Sequence, residues 1–201
     1  RLGASALMQG LADGYFVLPA TINGYLAQHA AGALAEDHQA FREAEDAFGK
    51  KVEGLLKVKG AQTADAIHKK LGLLMWEKAG MARSAQGLEE ALTRIPKIRQ
   101  ELETDVKVTG RGDDLNVQLE KTLRVADFIY FAALFARDAL ARRESCGGHF
   151  REESQTADNE ALRDDEHFAH AAVWEFKGER TEPEHHKEPM QFKHVKLSQR
   201  S

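Results

Sequence analysis

The first residues of the chain combine a guanidinium, a glycine and a run of small side chains, a combination that could hold an anion. The segment Arg1-Leu2-Gly3-Ala4-Ser5-Ala6-Leu7 leads into a stretch rich in alanine and leucine. A loop that meets the start of a helix offers unpaired backbone N–H groups and the positive end of the helix dipole to an anion. Arg1 adds a planar fork of N–H donors that matches a carboxylate or a phosphate. The residue types alone leave open whether Arg1 binds an anion or is simply solvated.

A second group of reactive side chains lies in the glycine-hinged segment Glu144-Ser145-Cys146-Gly147-Gly148-His149-Phe150-Arg151. Cys146 and His149 could form a thiolate–imidazole pair. No oxyanion-hole motif accompanies them, so a structural thiol is the favoured interpretation. Cys146 is also the single cysteine of the chain, which excludes an internal disulfide and is typical of a reducing compartment.

A third group contains the tandem histidines His185 and His186 between Glu184 and Glu188. These residue types can bind zinc. Adjacent histidines point in different directions, however, and neither a cysteine nor a regularly spaced third ligand accompanies them. The sequence therefore favours a solvated surface loop over a metal site.

The composition limits what the elements around these groups can be. The chain has 201 residues, of which 42% are hydrophobic and 30% are charged, and its net charge is −4. This suits one or two globular units with a core. The near-neutral, slightly acidic balance argues against nucleic acid as a partner. No apolar run approaches the roughly 20 residues that span a bilayer.

The first helix is expected to run from Ser5 to about Phe16, with Pro19 forcing a break or a restart. Three longer helical segments follow. The first is capped by Asp37 and ends near Gly60, and the second is capped by Thr63.

The second segment is interrupted at Ala79-Gly80, resumes to Leu102 and contains Pro96, which predicts a kink. The third segment covers about residues 115–140 and is apolar on every side at 128–135, which requires cover on every side. It is therefore either the central core helix or a surface for another domain or subunit. Short connections between the segments predict a mainly α fold with an antiparallel three-helix bundle.

The last forty residues are expected to form an extended tail with two short strands. The apolar run 171–176 and the alternating run 190–197 are the two predicted strands. The charged stretch 179–188 between them, which contains Pro183 and is followed directly by Pro189, is predicted to be a solvated loop.

Several of these segments resemble one family. The opening is similar to the Asn-Arg-Leu-Gly-x-Asn-Ser-Leu segment of fumarate reductase/succinate dehydrogenase flavoprotein subunits. Residues 73–83 resemble the Met-Trp-x-x-x-Gly-x-x-Arg segment of the family's helical domain. Residues 144–153 resemble its Glu-Ser-Arg-Gly-x-His-x-Arg-x-Asp segment, with Cys146 in place of the arginine, and residues 163–170 resemble the Arg-Asp-Asp…His that follows. The continuation 11–19 is similar to the branch found in Bacteroidetes-like complexes.

The resemblance implies roles for individual residues. Arg1 corresponds to the arginine that holds a carboxylate of the C4 dicarboxylate substrate. Ser5, Ala6 and Leu7 correspond to the residues beside the flavin, although Ala6 lacks the hydroxyl of the family's serine. His149 and Arg151 would lie in a loop that folds back toward the active site.

The resemblance also implies the activity and its setting. Succinate and fumarate would be interconverted by hydride transfer with covalent FAD, and electrons would pass to an iron–sulfur subunit and indirectly to a membrane anchor subunit. This places the complex on the cytoplasmic, inner face of the cell membrane. The direction of the reaction, the quinone and the anchor type stay open.

The resemblance divides the chain into three parts. Residues 1–33 would end the FAD-binding domain, residues 34–143 would form the bundle, and residues 144–201 would form a loop and tail. Because no Gly-x-Gly-x-x-Gly motif occurs in the chain, the dinucleotide-binding fold is expected upstream, and this portion alone is not expected to turn over. Two alternatives remain: a portion of an L-aspartate oxidase, or a helical adapter without catalysis.

Overall fold

The computed structural model describes residues 3–29, 32, 34–178, 180–194 and 198, and the side chains from residue 6 onward. Among these residues the chain is mainly helical, which confirms the predicted fold class. It contains two compact units, residues 1–49 and 50–201. The domain boundaries at residues 33 and 143 stay a prediction.

The elements are as follows. Seven α-helices are described: α1 (Gly3–Ala12), α2 (Leu18–Gln28), α3 (Gln39–Lys57), α4 (Ala64–Ala79), α5 (Ala85–Asp105), α6 (Val117–Ala141) and the short α7 (Asp165–Phe168). The two strands are β1 (His170–Glu175) and β2 (Glu184–Pro189).

The first unit holds α1 and α2, joined by a π-helical turn at Asp13–Val17. Pro19 lies in the first turn of α2. The backbone stays helical through Val17 and Leu18, so the predicted break or restart at Pro19 is found only as the change from the π turn to α2, and the π turn was not predicted. No described residue of this unit is buried.

Helix α3 begins in the first unit and ends in the second. Its predicted cap at Asp37 is wrong, because the backbone N–H of Ala40 donates to Nδ1 of His38 instead, at 3.2 Å. Helix α3 contributes no buried residue, and only its C-terminal end, at Leu55, packs against the core.

The bundle consists of α4, α5 and α6, because the second predicted segment is two helices. Thr63 caps α4 as predicted, with the N–H of Ala66 donating to its hydroxyl at 3.1 Å. Ser84 caps α5 in the same way through the N–H of Gly87, at 3.1 Å. The interruption at residues 79–84 therefore reverses the chain, and Pro96 lies inside α5 without ending it.

Consecutive helices of the bundle run antiparallel, so α4 and α6 run in the same direction. Lys121 pairs with Asp65 at 3.0 Å, and the rings of Phe128 and His68 lie 5.3 Å apart. Leucine, isoleucine, valine and alanine fill the core between the three helices. The buried members are Ala64, Ile67, Leu71, Leu74, Ala79, Leu88, Ala91, Ile95, Ile98, Leu102, Val125, Ile129, Ala132, Ala136 and Ala139.

Helix α6 is a core helix on one face and carries exposed aromatic side chains on the other, so its contact with another domain or subunit stays a prediction. Its inner face is core, with Ile129 1% exposed, whereas Phe131 on the outer face is 63% exposed. Phe128 and Phe135 are also partly exposed on α6. Within the described residues, no helix combines the length and the apolar character that crossing a bilayer requires.

Two extended segments pair where α4 begins and α5 ends. The N–H of Gly60 donates to the carbonyl of Val106 at 3.2 Å, and the N–H of Lys107 donates to the carbonyl of Gln62 at 2.7 Å. A Cβ on Gly60 would lie 1.8 Å from the carbonyl oxygen of Asp105. Only glycine allows this close approach.

Strands β1 and β2 form an antiparallel hairpin that lies against α6. The indole N–H of Trp174 donates to the carboxylate of Asp138 at 2.7 Å, and Phe176 meets Tyr130 edge-on at 5.7 Å between ring centroids. The second strand was predicted at 190–197 and is found at Glu184–Pro189, so the prediction of a solvated loop there is wrong. Residues 190–194 are not a strand, and residues 195–197 lie outside the described residues. Partners across the hairpin, rather than apolar alternation, decide where the strand forms.

Candidate functional site

The loop after α6 is held by a buried arginine at its end. Arg151 is 3% exposed, and its Nη1 donates to the carbonyls of Ala139 at 3.0 Å and Arg142 at 3.3 Å. These carbonyls belong to the last turn of α6, where the helix leaves its acceptors unpaired and a positive charge is favourable. The hydroxyl of the buried Ser145 accepts from the N–H of Arg151 at 2.8 Å. Arg151 therefore caps α6 and fixes the return of the loop.

His149 lies between two fixed partners. Its Nε2 is 2.8 Å from the carbonyl of Arg142, and its Nδ1 is 2.7 Å from Nη1 of Arg83. Since a carbonyl only accepts and a guanidinium only donates, the proton must be on Nε2 and the lone pair on Nδ1. Burial lowers the pKa of His149, and the charges of Arg83, Arg151 and Arg142 lower it further against the opposing hydrogen bond to the carbonyl. The imidazole is therefore neutral at pH 7.

Arg83 connects this loop to the turn between α4 and α5. Its Nε donates to the carbonyl of Gly80 at 3.1 Å, and its guanidinium lies 4.9 Å from the ring centroid of Phe135. Its backbone N–H donates to the carbonyl of Phe150 at 3.1 Å, and its carbonyl accepts from the N–H of Glu152 at 2.9 Å. Burial lowers the pKa of Arg83 from its ordinary value, although a guanidinium keeps its charge.

Arg142 and Glu144 connect the same loop to α7 and β1. Nη1 of Arg142 pairs with the carboxylate of Glu144 at 2.7 Å, and Nη2 donates to the carbonyl of His170 at 2.9 Å. The guanidinium lies 5.6 Å from the ring centroid of Phe168. The second oxygen of Glu144 accepts from the N–H of Asp164 at 2.9 Å. The buried carboxylate is thus paired on both of its oxygens.

These contacts decide what the loop can do chemically. Both nitrogens of His149 are engaged, so the imidazole has no free nitrogen for the thiol of Cys146. Cys146 is exposed at the tip of a turn in which its N–H donates to the carbonyl of His149 at 2.8 Å. Gly147 supplies the positive φ, 60°, that this turn needs. Arg83, Arg142, Glu144, His149 and Arg151 form a joint between the bundle, the loop and the hairpin. The structural role favoured for Cys146 stays a prediction.

The structure brings together two of the predicted site residues and leaves the others apart. His149 and Arg151 share the carbonyl of Arg142 as an acceptor. Arg1 and the side chain of Ser5 lie outside the described residues. Ala6 is half-buried and Leu7 is 75% exposed on α1. The assignment of these residues to a substrate and flavin site stays a prediction.

Two residues of this joint were missed from the sequence. Nothing in the adjacent Arg142 and Arg143 shows which one turns inward, and the structure buries part of Arg142 while Arg143 is exposed. The only available signal for Arg142 is a basic residue at a helix C-terminus, which many solvated arginines share. Glu144 lies within the quoted family segment. One of its two partners, the N–H of Asp164, lies 20 positions further along the chain, and no local pattern connects the two residues.

Residues 68–201, two thirds of the chain, match the model of the fumarate reductase flavoprotein C-terminal family. This range includes most of α4, all of α5 and α6, the joint and the hairpin. The chain belongs to this family. It is a C-terminal portion of a fumarate reductase/succinate dehydrogenase flavoprotein subunit, as the resemblance implied.

Individual relatives agree with the family. An uncharacterized FAD-dependent oxidoreductase of Methanocaldococcus jannaschii is 29% identical over 154 residues, which are 76% of this chain and 26% of that protein. The fumarate reductase flavoprotein subunit of Escherichia coli is 24% identical over 152 residues, which are 75% of this chain and 24% of that protein. The chain thus spans about a quarter of the length of these relatives.

The fold agrees with solved structures as well. The Sdh1 complex of Mycobacterium smegmatis in its apo form superposes with a TM-score of 0.64 at 20% identity, covering 83% of this chain and 27% of that one. At this identity the likeness concerns the fold. The membership of the family rests on the match of residues 68–201.

Proposed function

We propose that this chain supplies the helical portion of a flavoprotein subunit that interconverts fumarate and succinate. The observation that carries the proposal is the family match over residues 68–201, which covers both the bundle and the joint. The joint suits a supporting role because its arginines and histidine bind one another and main-chain carbonyls. The bundle and the joint would act as a scaffold, and this chain alone is not expected to turn over.

Arg1 is the proposed substrate clamp. A guanidinium matches a carboxylate of a C4 dicarboxylate through two parallel hydrogen bonds. Charge builds on that carboxylate as the double bond polarises, so a fixed guanidinium stabilises the transition state more than the ground state.

FAD, covalently held, is the proposed cofactor, and it would supply the two-electron, hydride-transferring chemistry. The described residues fit such a group in one respect. Leu7 on α1 is largely exposed and offers apolar surface to a ring. Ser5, Ala6 and Leu7 would hold the flavin through backbone N–H groups and apolar contact. The hydroxyl that Ala6 lacks would be replaced, if at all, by Ser5.

Residues 1–33 are proposed to end the FAD-binding domain. Leu7, Leu11, Tyr15, Phe16 and Ile22 on α1, the π turn and α2 are all more than half exposed. Apolar surface of this extent on adjacent turns is typical of an interface. The flavin-binding portion of the same subunit is the proposed cover.

An iron–sulfur subunit is the proposed acceptor of electrons, with a membrane anchor subunit as an indirect partner. The outer aromatic face of α6 at Phe128, Phe131 and Phe135, and the exposed Trp76 of α4, support an interface on the bundle. The complex is proposed to lie on the cytoplasmic face of the membrane. The Bacteroidetes-like branch stays a prediction.

The test is to purify the intact complex that contains this chain by an affinity tag on the flavoprotein subunit. We expect bound flavin, iron, and reduction of fumarate by a reduced dye. In the same complex, Arg1→Lys should lower kcat by orders of magnitude, because an ammonium cannot replace the two-pronged contact, while flavin content is unchanged. Wild-type rates in Arg1→Lys would remove Arg1 from the site.

A portion of an L-aspartate oxidase is the main alternative, because it shares the helical domain. It predicts flavin without iron, and oxidation of L-aspartate by oxygen. A colourless protein that is indifferent to fumarate, succinate and L-aspartate would instead support the helical adapter.

A further inference from the structure

The outer face of the hairpin carries a cluster of ligating side chains, Glu175, Glu184 and His186. The sequence alone suggests Glu184 and His186 as candidate zinc ligands but favours a solvated loop. Glu175 of β1 lies directly opposite Glu184 of β2, and Val173 lies opposite His186. Because side chains alternate across a strand, Glu175, Glu184 and His186 point to the same face. The cluster therefore depends on the strand pairing, which replaces the loop expected for this segment.

The tandem histidines divide between the two faces. The ring of His185 stacks on that of Trp174, with 4.3 Å between centroids and 8° between planes. His186 lies on the opposite, solvent-facing side of β2. Only His186 is therefore placed to act with Glu175 and Glu184, and Glu188 lies two residues further along the same face.

The ligand atoms of the three residues converge. Nε2 of His186 is 2.9 Å from Oε2 of Glu175 and 3.9 Å from Oε1 of Glu184. One ligand atom from each residue lies within 4.8 Å of the other two, and in the part of the chain that is described no other group of three His, Cys, Asp or Glu residues meets this condition. Exposed side chains can close the remaining gap by small rotations.

Lys177 holds the two carboxylates by their other oxygens. Its Nζ is 2.6 Å from Oε1 of Glu175 and 2.9 Å from Oε2 of Glu184. The oxygens that face His186 are left available. Support of this kind, by a group that binds the ligands rather than the metal, is common at metal sites.

We propose that Glu175, Glu184 and His186 bind one zinc ion, with Lys177 orienting the carboxylates. An imidazole nitrogen with two carboxylates suits Zn²⁺ better than Mg²⁺ or Ca²⁺, which prefer oxygen ligands alone. Three protein ligands leave the fourth tetrahedral position to water. The two carboxylates and Lys177 sum to −1, which favours a divalent cation. The ion would join β1 to β2 at the end of the hairpin that adjoins the loop between the two strands.

The test is titration of the full chain with Zn²⁺ at pH 7 by calorimetry, and with Co²⁺ by visible absorption. We expect one ion per chain and d–d bands of the intensity that four ligands give. His186→Gln and Glu184→Gln should each lower the affinity at least tenfold. Glu188→Gln, on the same strand and face, should change it less than twofold.

The metal-free circular dichroism of each variant shows whether it folds, and two independent ligand variants keep the test decisive if one does not. Absence of Zn²⁺ binding, equal binding by His186→Gln and the parent chain, or preference for Mg²⁺ over Zn²⁺ would each overturn the proposal. None of these readouts uses flavin or fumarate, so the outcome is independent of the proposed function.

Discussion

The two compact units of this chain handle apolar side chains in opposite ways. In residues 50–201, α4, α5 and α6 bury their leucines and isoleucines against one another, with Leu88 and Ile67 fully buried. In residues 1–49, aromatic and aliphatic side chains of α1, the π turn and α2 stay exposed, Phe16 at 77% and Tyr15 at 73%. The bundle therefore contains the source of its own stability, whereas the first unit has apolar surface to bury elsewhere.

The largest expected difference is in how substitutions in the two units change the free energy of unfolding. Ile129→Ala removes a fully packed core side chain and should lower the free energy of unfolding by about 2–5 kcal/mol. Phe16→Ala, at an exposed position, should change it by less than about 0.5 kcal/mol. Both tryptophans, Trp76 and Trp174, lie in the second unit, so urea unfolding followed by fluorescence reports on the bundle. Equal destabilisation by the two variants would contradict the comparison.

Substitutions in the joint should have the next largest effect on the free energy of unfolding. Arg151→Met removes the cap of α6 and leaves buried carbonyls without a donor, which should cost about 1–3 kcal/mol. Arg111→Met is the matched control, because Arg111 is exposed and pairs with the exposed Asp113; its cost should stay below about 1 kcal/mol. The same unfolding experiment measures both. If the two arginines proved equally dispensable, Arg151 would not be the cap described.

The free energy of unfolding of the second unit should depend on pH through the protonation of His149. Its folded pKa is lowered by burial and by neighbouring arginines, so the unfolded state binds more protons between that value and the ordinary value of about 6.5. Stability is fully present above pH 6.5 and is lost as the pH falls through the lowered pKa. The pKa of His170 is also lowered, first by burial, and acts in the same direction.

His149→Gln keeps a donor and an acceptor but does not titrate. Urea unfolding at pH 7.5, 6.5 and 5.5 should therefore show a shallower loss in this variant than in the parent chain. An identical pH dependence in the two proteins would show that His149 keeps its proton affinity on folding. That result would contradict its position between Arg83 and the carbonyl of Arg142.

The smallest effect concerns two adjacent glycines in the same turn. Gly147→Ala places a side chain at φ 60° and should cost about 1 kcal/mol. Gly148 has no positive φ and nothing within 4 Å of an added Cβ, so Gly148→Ala should be neutral or stabilise by a few tenths of a kcal/mol. Thermal unfolding of the two variants compares them directly. A reversed order would mean that the turn differs from the one described.

Sequence patterns predicted the parts of this fold that depend on local periodicity. The helical segments of the bundle were predicted, and Thr63 was recognised as the cap of α4. The second strand was misplaced because its stability comes from Trp174 and Glu175 across the hairpin, and no local pattern in residues 184–189 records those partners.

The joint shows the same limit. His149 and Arg151 were selected as part of a family segment, but their partners Arg83 and Arg142 come from two other elements. A tautomer fixed by Arg83 on one side and a carbonyl on the other cannot be deduced from spacing. Of the proposed zinc ligands, Glu184 and His186 were considered from the sequence but Glu175 was not, since Glu175 reaches His186 only after the strands pair.

The central claim is that the bundle supports itself and that the first unit is completed by the flavin-binding portion of the subunit. Hydrogen exchange, compared between this chain alone and the intact flavoprotein, tests it most directly. We predict that amides of α1 and α2 gain strong protection in the intact protein, while those of α4, α5 and α6 exchange at the same slow rates in both. Equal protection of α1 and α2 in the two proteins would contradict the account.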